Sequence, residues 1–123
     1  MKKMKIYILL ISFLSINSFA NEGENLFKMH CVSCHSLKMG YDIKDKSMML
    51  GPPAIGIARK IKPIFNNEEQ FIEFIVDYLD NPSRIKARLK EDVIKKFGLM
   101  PKEIGQSLTK EDKQKIARWM YKL

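Results

Sequence analysis

The chain has two cysteines, two histidines and a single tryptophan in 123 residues, and each scarcity excludes something. Two cysteines close at most one disulfide, so a scaffold stapled by several bridges is excluded. A structural zinc site takes four ligands, and here it would need every cysteine and every histidine at once. No stretch alternates apolar and polar residues convincingly enough to predict a strand. That argues against a β-sheet and against the strand-helix-strand setting of a thioredoxin-like dithiol. Past residue 20 no apolar run approaches the roughly 18–20 residues that cross a bilayer. Repeats and low-complexity tracts are also missing. Acidic residues are the minority, 14 against 22 basic ones, for a formal charge of +8.

The one apolar run stands at the start, MKKMKIYILLISFLSINSFA. Lys2, Lys3 and Lys5 precede a short apolar stretch from Ile6 to Ile16, and Ser18-Phe19-Ala20 supplies small residues where a signal peptidase inspects. This pattern predicts a secretory signal peptide over residues 1–20, cut after Ala20. The run is too short for a membrane anchor, so the mature product is expected without a membrane span and in the periplasm. The segment carries three lysines and no acid, so its removal lowers the formal charge from +8 to +5. Residues 21–123 then make one small domain. A core that small is marginal without a staple or a cofactor.

Both cysteines and both histidines lie in MHCVSCHSL, residues 29–37. Cys31-Val32-Ser33-Cys34-His35 is C-x-x-C-H, the attachment signature of c-type haem. Two thiols at this spacing, expected at the start of a helix, reach two vinyl groups on neighbouring pyrroles. The following imidazole then lies beneath the iron as an axial ligand. Cys31 and Cys34 are therefore candidates for thioethers, and His35 for the proximal ligand of one covalently bound haem c. As a zinc knot the four residues are too compressed to surround one ion. A Cys31–Cys34 disulfide closes a very tight loop and gives His35 no reason. His30 is expected to be an exposed polar residue.

The rest of the chain reads as helices. Residues 23–34 align Gly23, Phe27 and Cys31 on one helix face. Residues 36–50 read as a loop with a turn at Gly40-Tyr41-Asp42. Gly51-Pro52-Pro53 predicts an extended turn, followed by a short helix. Asn67-Glu68-Glu69-Gln70 is a capping box, opening a helix whose stripe is Phe71, Phe74, Ile75, Tyr78 and Leu79 and which stops at Asn81-Pro82. Ser83 is expected to cap a helix from Arg84 to Phe97, with Ile85, Leu89, Val93 and Phe97 on one stripe and Gly98 as terminator. Thr109 caps a last helix carrying Ile116, Trp119, Met120 and Leu123. The expected fold class is all-α.

Taken in order, Gly23-x-x-x-Phe27-x-x-x-Cys31, CVSCH, Gly51-Pro52, Leu99-Met100-Pro101 and the ending LTKEDKQKIARWMYKL resemble a small monohaem cytochrome c. The resemblance spans essentially all of residues 22–123. It implies helices wrapped round one haem, with the first and last crossing at Gly23, where Phe27 meets Ile116 and Trp119. It also implies that the Pro52 carbonyl accepts a hydrogen bond from His35 Nδ1–H, which fixes the ring. Two departures stand out: the long 36–50 loop, and the charged segment 83–97, where the family usually has a shorter stretch.

Eight methionines compete for the sixth position on the iron. Met1 and Met4 leave with the signal, Met29 and Met39 lie close to the attachment site, and Met120 belongs to the last helix's apolar stripe. Met100 stands between a helix stop at Gly98 and Pro101, in a constrained extended segment, and the resemblance favours it. Met48 and Met49 are the alternatives.

With His35 and Met100 both on the iron, no position is open to substrate. The expected role is a carrier of single electrons between redox proteins in a respiratory chain, and not an enzyme. The alternative is a haem sensor or haem enzyme subunit with an open or weakly filled sixth position. Arg84, Lys86, Arg88, Lys90, Lys95, Lys96 and Lys102, against only Glu91 and Asp92, predict docking on acidic partner surfaces. Nucleic acid is not expected as a partner for an exported haem protein.

Overall fold

The computed structural model describes residues 21–123; the expected signal segment lies outside the described residues. These fold into six α-helices, with no strand among them. Helix α1 covers residues 21–30. It is followed by α2 (Ala54–Ile61), α3 (Glu68–Asp80), α4 (Glu91–Phe97), α5 (Lys102–Gln106) and α6 (Lys110–Tyr121). Short 3-10 turns lie at Gly40–Asp42, Lys46–Met48 and Lys62–Ile64.

Local chemistry starts the longer helices where the sequence indicated. Asn67 Oδ1 accepts from Gln70 N–H at 2.9 Å and Thr109 Oγ1 from Asp112 N–H at 3.1 Å. Each satisfies one donor that a helix N-terminus leaves unpaired. The reciprocal bond of the box goes one residue further back than usual, Gln70 Oε1 accepting from Asn66 N–H at 3.0 Å. Helix α3 ends at Asp80 before Asn81-Pro82, and Gly98 closes α4 with a φ of 74°.

Helix α3 makes its most extensive contact with α6, α5 packs against α3, and α2 against α6. The core between them holds Phe71, Ile75, Leu79, Ile116, Ala117 and Met120. An aromatic chain joins the helices. Phe27 and Trp119 have ring centroids 4.9 Å apart, Phe71 and Tyr121 5.3 Å, and Phe65 and Phe74 5.1 Å. Such pairs contribute about 0.5–1.5 kcal/mol each beyond the area they bury. Ion pairs add register: Lys115 meets Glu22 at 2.7 Å, and the buried Lys113 meets Asp80 across α6 and α3.

The first and last helices cross where Gly23 meets α6. A methyl group on Gly23 would collide with the Lys115 carbonyl and lie 2.8 Å from Trp119 Cβ. Both are atoms the helix cannot move aside, so only glycine permits this approach. A second close approach went unread in the sequence. Gly105 in α5 lies so near the Leu79 backbone that a Cβ would overlap its carbonyl.

Three expectations need correction. Segment 83–97 is not one helix. Ser83 caps a single turn, accepting from Lys86 N–H at 3.3 Å on its hydroxyl and from Ala87 N–H at 3.0 Å on its carbonyl. The chain then passes irregularly through a bend at Leu89 to an extended Lys90 (φ −61°, ψ 151°) before α4 begins. The apolar stripe was outweighed by like charges, because Arg84 with Arg88 and Lys86 with Lys90 are i,i+4 repulsions. Ile85, assigned to the buried stripe, is 90% exposed. Second, α1 stops at residue 30, and Cys31–Cys34 form a turn at its end rather than a helix start. Third, α5 was not anticipated, since five residues after Pro101 carry no readable periodicity.

Two glycine substitutions test this packing with opposite signs. Gly23→Ala should lower stability by about 1–3 kcal/mol, the usual penalty of overpacking. Gly56→Ala, in α2 with nothing within 4 Å, should raise it by roughly 0.5–1 kcal/mol through helix propensity. Denaturant unfolding followed by circular dichroism compares them; equal effects would rule out the tight crossing.

Candidate haem site

Helix α1 delivers the motif by its last hydrogen bonds. Cys31 N–H donates to Phe27 O at 2.8 Å, and His35 N–H donates back to Cys31 O at 2.8 Å, wrapping residues 31–35 into a compact turn. This turn presents Cys31, Cys34 and His35 to one cavity of about 370 Å³, within the range of small-ligand and cofactor sites. Gly51 and Pro52 line it beside the motif, and Met100 and Pro101 line it from the distant end of the chain. Most of the remaining wall is apolar, with Ile57, Ile75, Leu89 and Phe97 among its members.

The geometry around His35 is specific. Nδ1 lies 2.8 Å from the Pro52 carbonyl oxygen. A carbonyl only accepts, so Nδ1 carries the proton and Nε2 keeps its lone pair free to bind a metal. Gly51 makes the approach possible, since a Cβ there would fall 3.0 Å from His35 Cε1 and 3.1 Å from the Cys34 carbonyl. Ala54 N–H donates to Ser36 O at 2.9 Å and fastens the same two segments one step further on. Burial pushes the imidazole below its usual range, with the Pro52 bond opposing. The ring is therefore neutral near pH 7, the form that ligates.

The thiols are free, Cys31 buried and Cys34 half-buried. Burial, with Cys34 adding to it, pushes the Cys31 thiol up to about 11. A redox dithiol needs the opposite shift, toward thiolate, which counts against that reading. Among the described residues no three His, Cys, Asp or Glu side chains gather as a metal knot requires. Two thiols, an imidazole with a free Nε2, a thioether and apolar walls on one cavity fit a covalently attached haem.

The other candidate methionines lie elsewhere. Met48 is 76% exposed on a 3-10 turn, and Met49 lines a separate, more open cleft with Lys46 and Lys60. Met120 reaches the cavity wall from α6, but as a buried member of the core. His30 differs from expectation: it is half-buried and lines the cavity. Tyr78 and Arg88 also line it. The sequence placed Tyr78 on an apolar stripe and Arg88 in a charged segment, and neither signal told which side the cavity would take.

Among the described residues no helix is long and apolar enough to cross a membrane. The family described as cytochrome C oxidase, cbb3-type, subunit III matches residues 18–120. An uncharacterized protein of Aquifex aeolicus (strain VF5) is 30% identical over 115 residues, covering 85% of this chain and 75% of that protein. No solved structure matches the chain. The chain belongs to the family of the cytochrome c oxidase cbb3-type subunit III domain, c-type cytochromes that bind haem c covalently and carry electrons.

Proposed function

We propose that the chain is an exported carrier of single electrons in a respiratory chain, with one haem held by Cys31 and Cys34 and ligated by His35 and Met100. The observation that carries this reading is the meeting of all four side chains on one cavity. When bound, the haem supplies a one-electron iron couple whose potential is set by its axial ligands and its burial.

The protein's own residues do the rest. Pro52 holds the His35 ring in one orientation and one tautomer, and raises its basicity as a ligand. Met100 offers a soft thioether, which favours the reduced state and raises the potential. Apolar side chains keep water from the cavity. With two strong ligands from the chain, no position is left for a substrate, which argues for electron transfer over catalysis. The rival, a sensor or haem enzyme subunit with an open sixth position, is disfavoured by Met100 sharing the cavity with His35.

Signal cleavage after Ala20 and a periplasmic site of action belong to the same proposal, resting on residues 1–20. The family's description as an oxidase subunit supports a relay held within a respiratory assembly; a freely diffusing carrier would use the same site. For partners, the segment carrying Met100 is basic. Arg84 is paired with Glu91 and Lys86 with Asp77. Among the described residues Lys90, Lys95, Lys96 and Lys102 have no acidic partner. Exposed Ile85 and Leu99 accompany them. Such a face suits an acidic docking surface.

Three measurements test the proposal. Met100→Ala should lower the reduction potential by more than about 60 mV, a tenfold change in a one-electron equilibrium, and admit carbon monoxide to the iron; an unchanged potential would move the ligand assignment to Met48 or Met49. Cys31→Ala or Cys34→Ala should abolish stable haem attachment and leave the chain largely unfolded, because the buried side chains surround the cavity rather than fill it. A folded, colourless variant by circular dichroism would contradict that. Raising ionic strength from about 10 mM to about 150 mM, which shortens the Debye length from about 30 Å to about 8 Å, should slow electron transfer to an acidic partner several-fold. A salt-independent rate removes the docking face.

A further inference from the structure

The cavity wall carries one fixed charge. Of the described residues that line it, Arg88 is the only Arg, Lys, Asp or Glu. Its neighbours in the same turn are paired, Arg84 with Glu91 and Lys86 with Asp77, whereas Arg88 has no carboxylate partner among the described residues. Asp92, the other nearby acid, lines the separate cleft. The guanidinium is held by two backbone bonds, Nη1 donating to Ile85 O and Lys86 O at 3.1 Å each. It is also held by the Phe74 ring, 5.7 Å from Cζ to centroid. Nη2 and Nε find no partner among the described residues, so the half of the fork suited to a carboxylate is uncommitted. Arg88 is exposed yet lines the cavity, so it stands where the cavity meets solvent.

A second polar group meets the same ring. Tyr78 stacks on Phe74 with centroids 6.0 Å apart and lines the cavity too. Burial pushes its phenol above the ordinary range, so it keeps its proton and can donate. No hydrogen bond to its hydroxyl forms among the described residues. Phe74 therefore positions a cation and a hydroxyl donor at the cavity, an arrangement that suits a carboxylate.

We infer that Arg88 and Tyr78 seat the carboxylates of the porphyrin, Arg88 as their counter-ion and Tyr78 as a hydrogen-bond donor. The inference rests on the haem reading above and makes both positioning residues, tuning the iron through the carboxylates. Beside Arg88 a carboxylate stays ionised well below neutral pH. Without the cation its pKa climbs, and it climbs further when the iron is reduced and loses a positive charge. The potential then falls as pH rises through that range.

The test is the pH profile of the reduction potential, from about pH 5 to about pH 8, above the ordinary carboxylate range. It compares the haem-loaded parent with Arg88→Gln, Arg88→Lys and Tyr78→Phe. In the haem-loaded protein Cys31 and Cys34 are thioethers and His35 is a ligand, so His30 is the other titratable group on the wall; it is common to all four proteins and cancels in the comparison. Arg88→Gln should add a falling limb that the parent lacks. Arg88→Lys, which keeps the charge, should remove most of it, and Tyr78→Phe should add a smaller limb. A role confined to capping the turn would not move this readout. Profiles of Arg88→Gln and Tyr78→Phe that superimpose on the parent's, at unchanged absorption maxima, would overturn the inference alone. A parent that matures without attached haem would overturn the haem reading, and this inference with it.

Discussion

The constraint on which everything else depends is that the chain folds around a space its own side chains do not fill. The cavity measures about 370 Å³ and its walls are mostly apolar, so water filling it would leave that apolar surface wetted. Whatever occupies the cavity is therefore a structural component as much as a functional one. That explains why the core residues are arranged as a shell. Phe27 and Ile116 meet the cavity from the helix crossing, Ile75 and Leu79 from α3, and Ile57 and Ile61 from α2. It also explains the tight glycine contacts: helices that cannot gain stability from a dense centre gain it by close approach at the periphery.

What could be read from the sequence was the chemistry that acts over a few residues. Asn67 and Thr109 cap their helices because a short polar side chain reaches only the next turn. Gly98 stops α4 because it takes the positive φ. C-x-x-C-H is a spacing matched to one ring system, and it nominates Cys31, Cys34 and His35 before any fold is known. The crossing at Gly23 came from the resemblance, and the structure supplies its reason in the Lys115 carbonyl. What could not be read were outcomes of competition. In 83–97 an apolar stripe of correct period lost to i,i+4 repulsions, and no local rule weighs those two. The wall of the cavity was equally illegible: Tyr78 and Leu79 are adjacent on α3, and both line it, one with a hydroxyl and one without.

The charges are divided between two tasks. On α6, Lys113 and Lys115 serve the fold, reaching Asp80 on α3 and Glu22 on α1. Lys113 is 5% exposed, and a cation so buried is tolerated only when paired. In the segment from Arg84 to Lys102 the first two cations are likewise paired, while the later lysines have no acidic partner among the described residues. The net positive charge is therefore concentrated beside Met100 instead of being spread evenly, and it is there that a surface potential can orient an approaching partner.

The segment 83–97 brings these strands together. As a departure from the pattern of small cytochromes c, it could be taken for a surface elaboration. Its inner side contradicts that, since Ala87, Arg88, Leu89, Val93, Ile94 and Phe97 all line the cavity. Its outer side carries unpaired lysines and the exposed Ile85. One short stretch thus forms a wall of the candidate haem site and the face proposed for docking, and it leads directly into Leu99, Met100 and Pro101. Electron transfer between proteins weakens steeply with separation, so a partner docked on the outer side of the same segment would stand one chain layer from the cavity. One continuous helix from Arg84 to Phe97 would instead have stacked its cations along one rod and moved Ile85 inward. The interruption that the sequence did not predict is what allows the same residues to face both the cavity and the solvent.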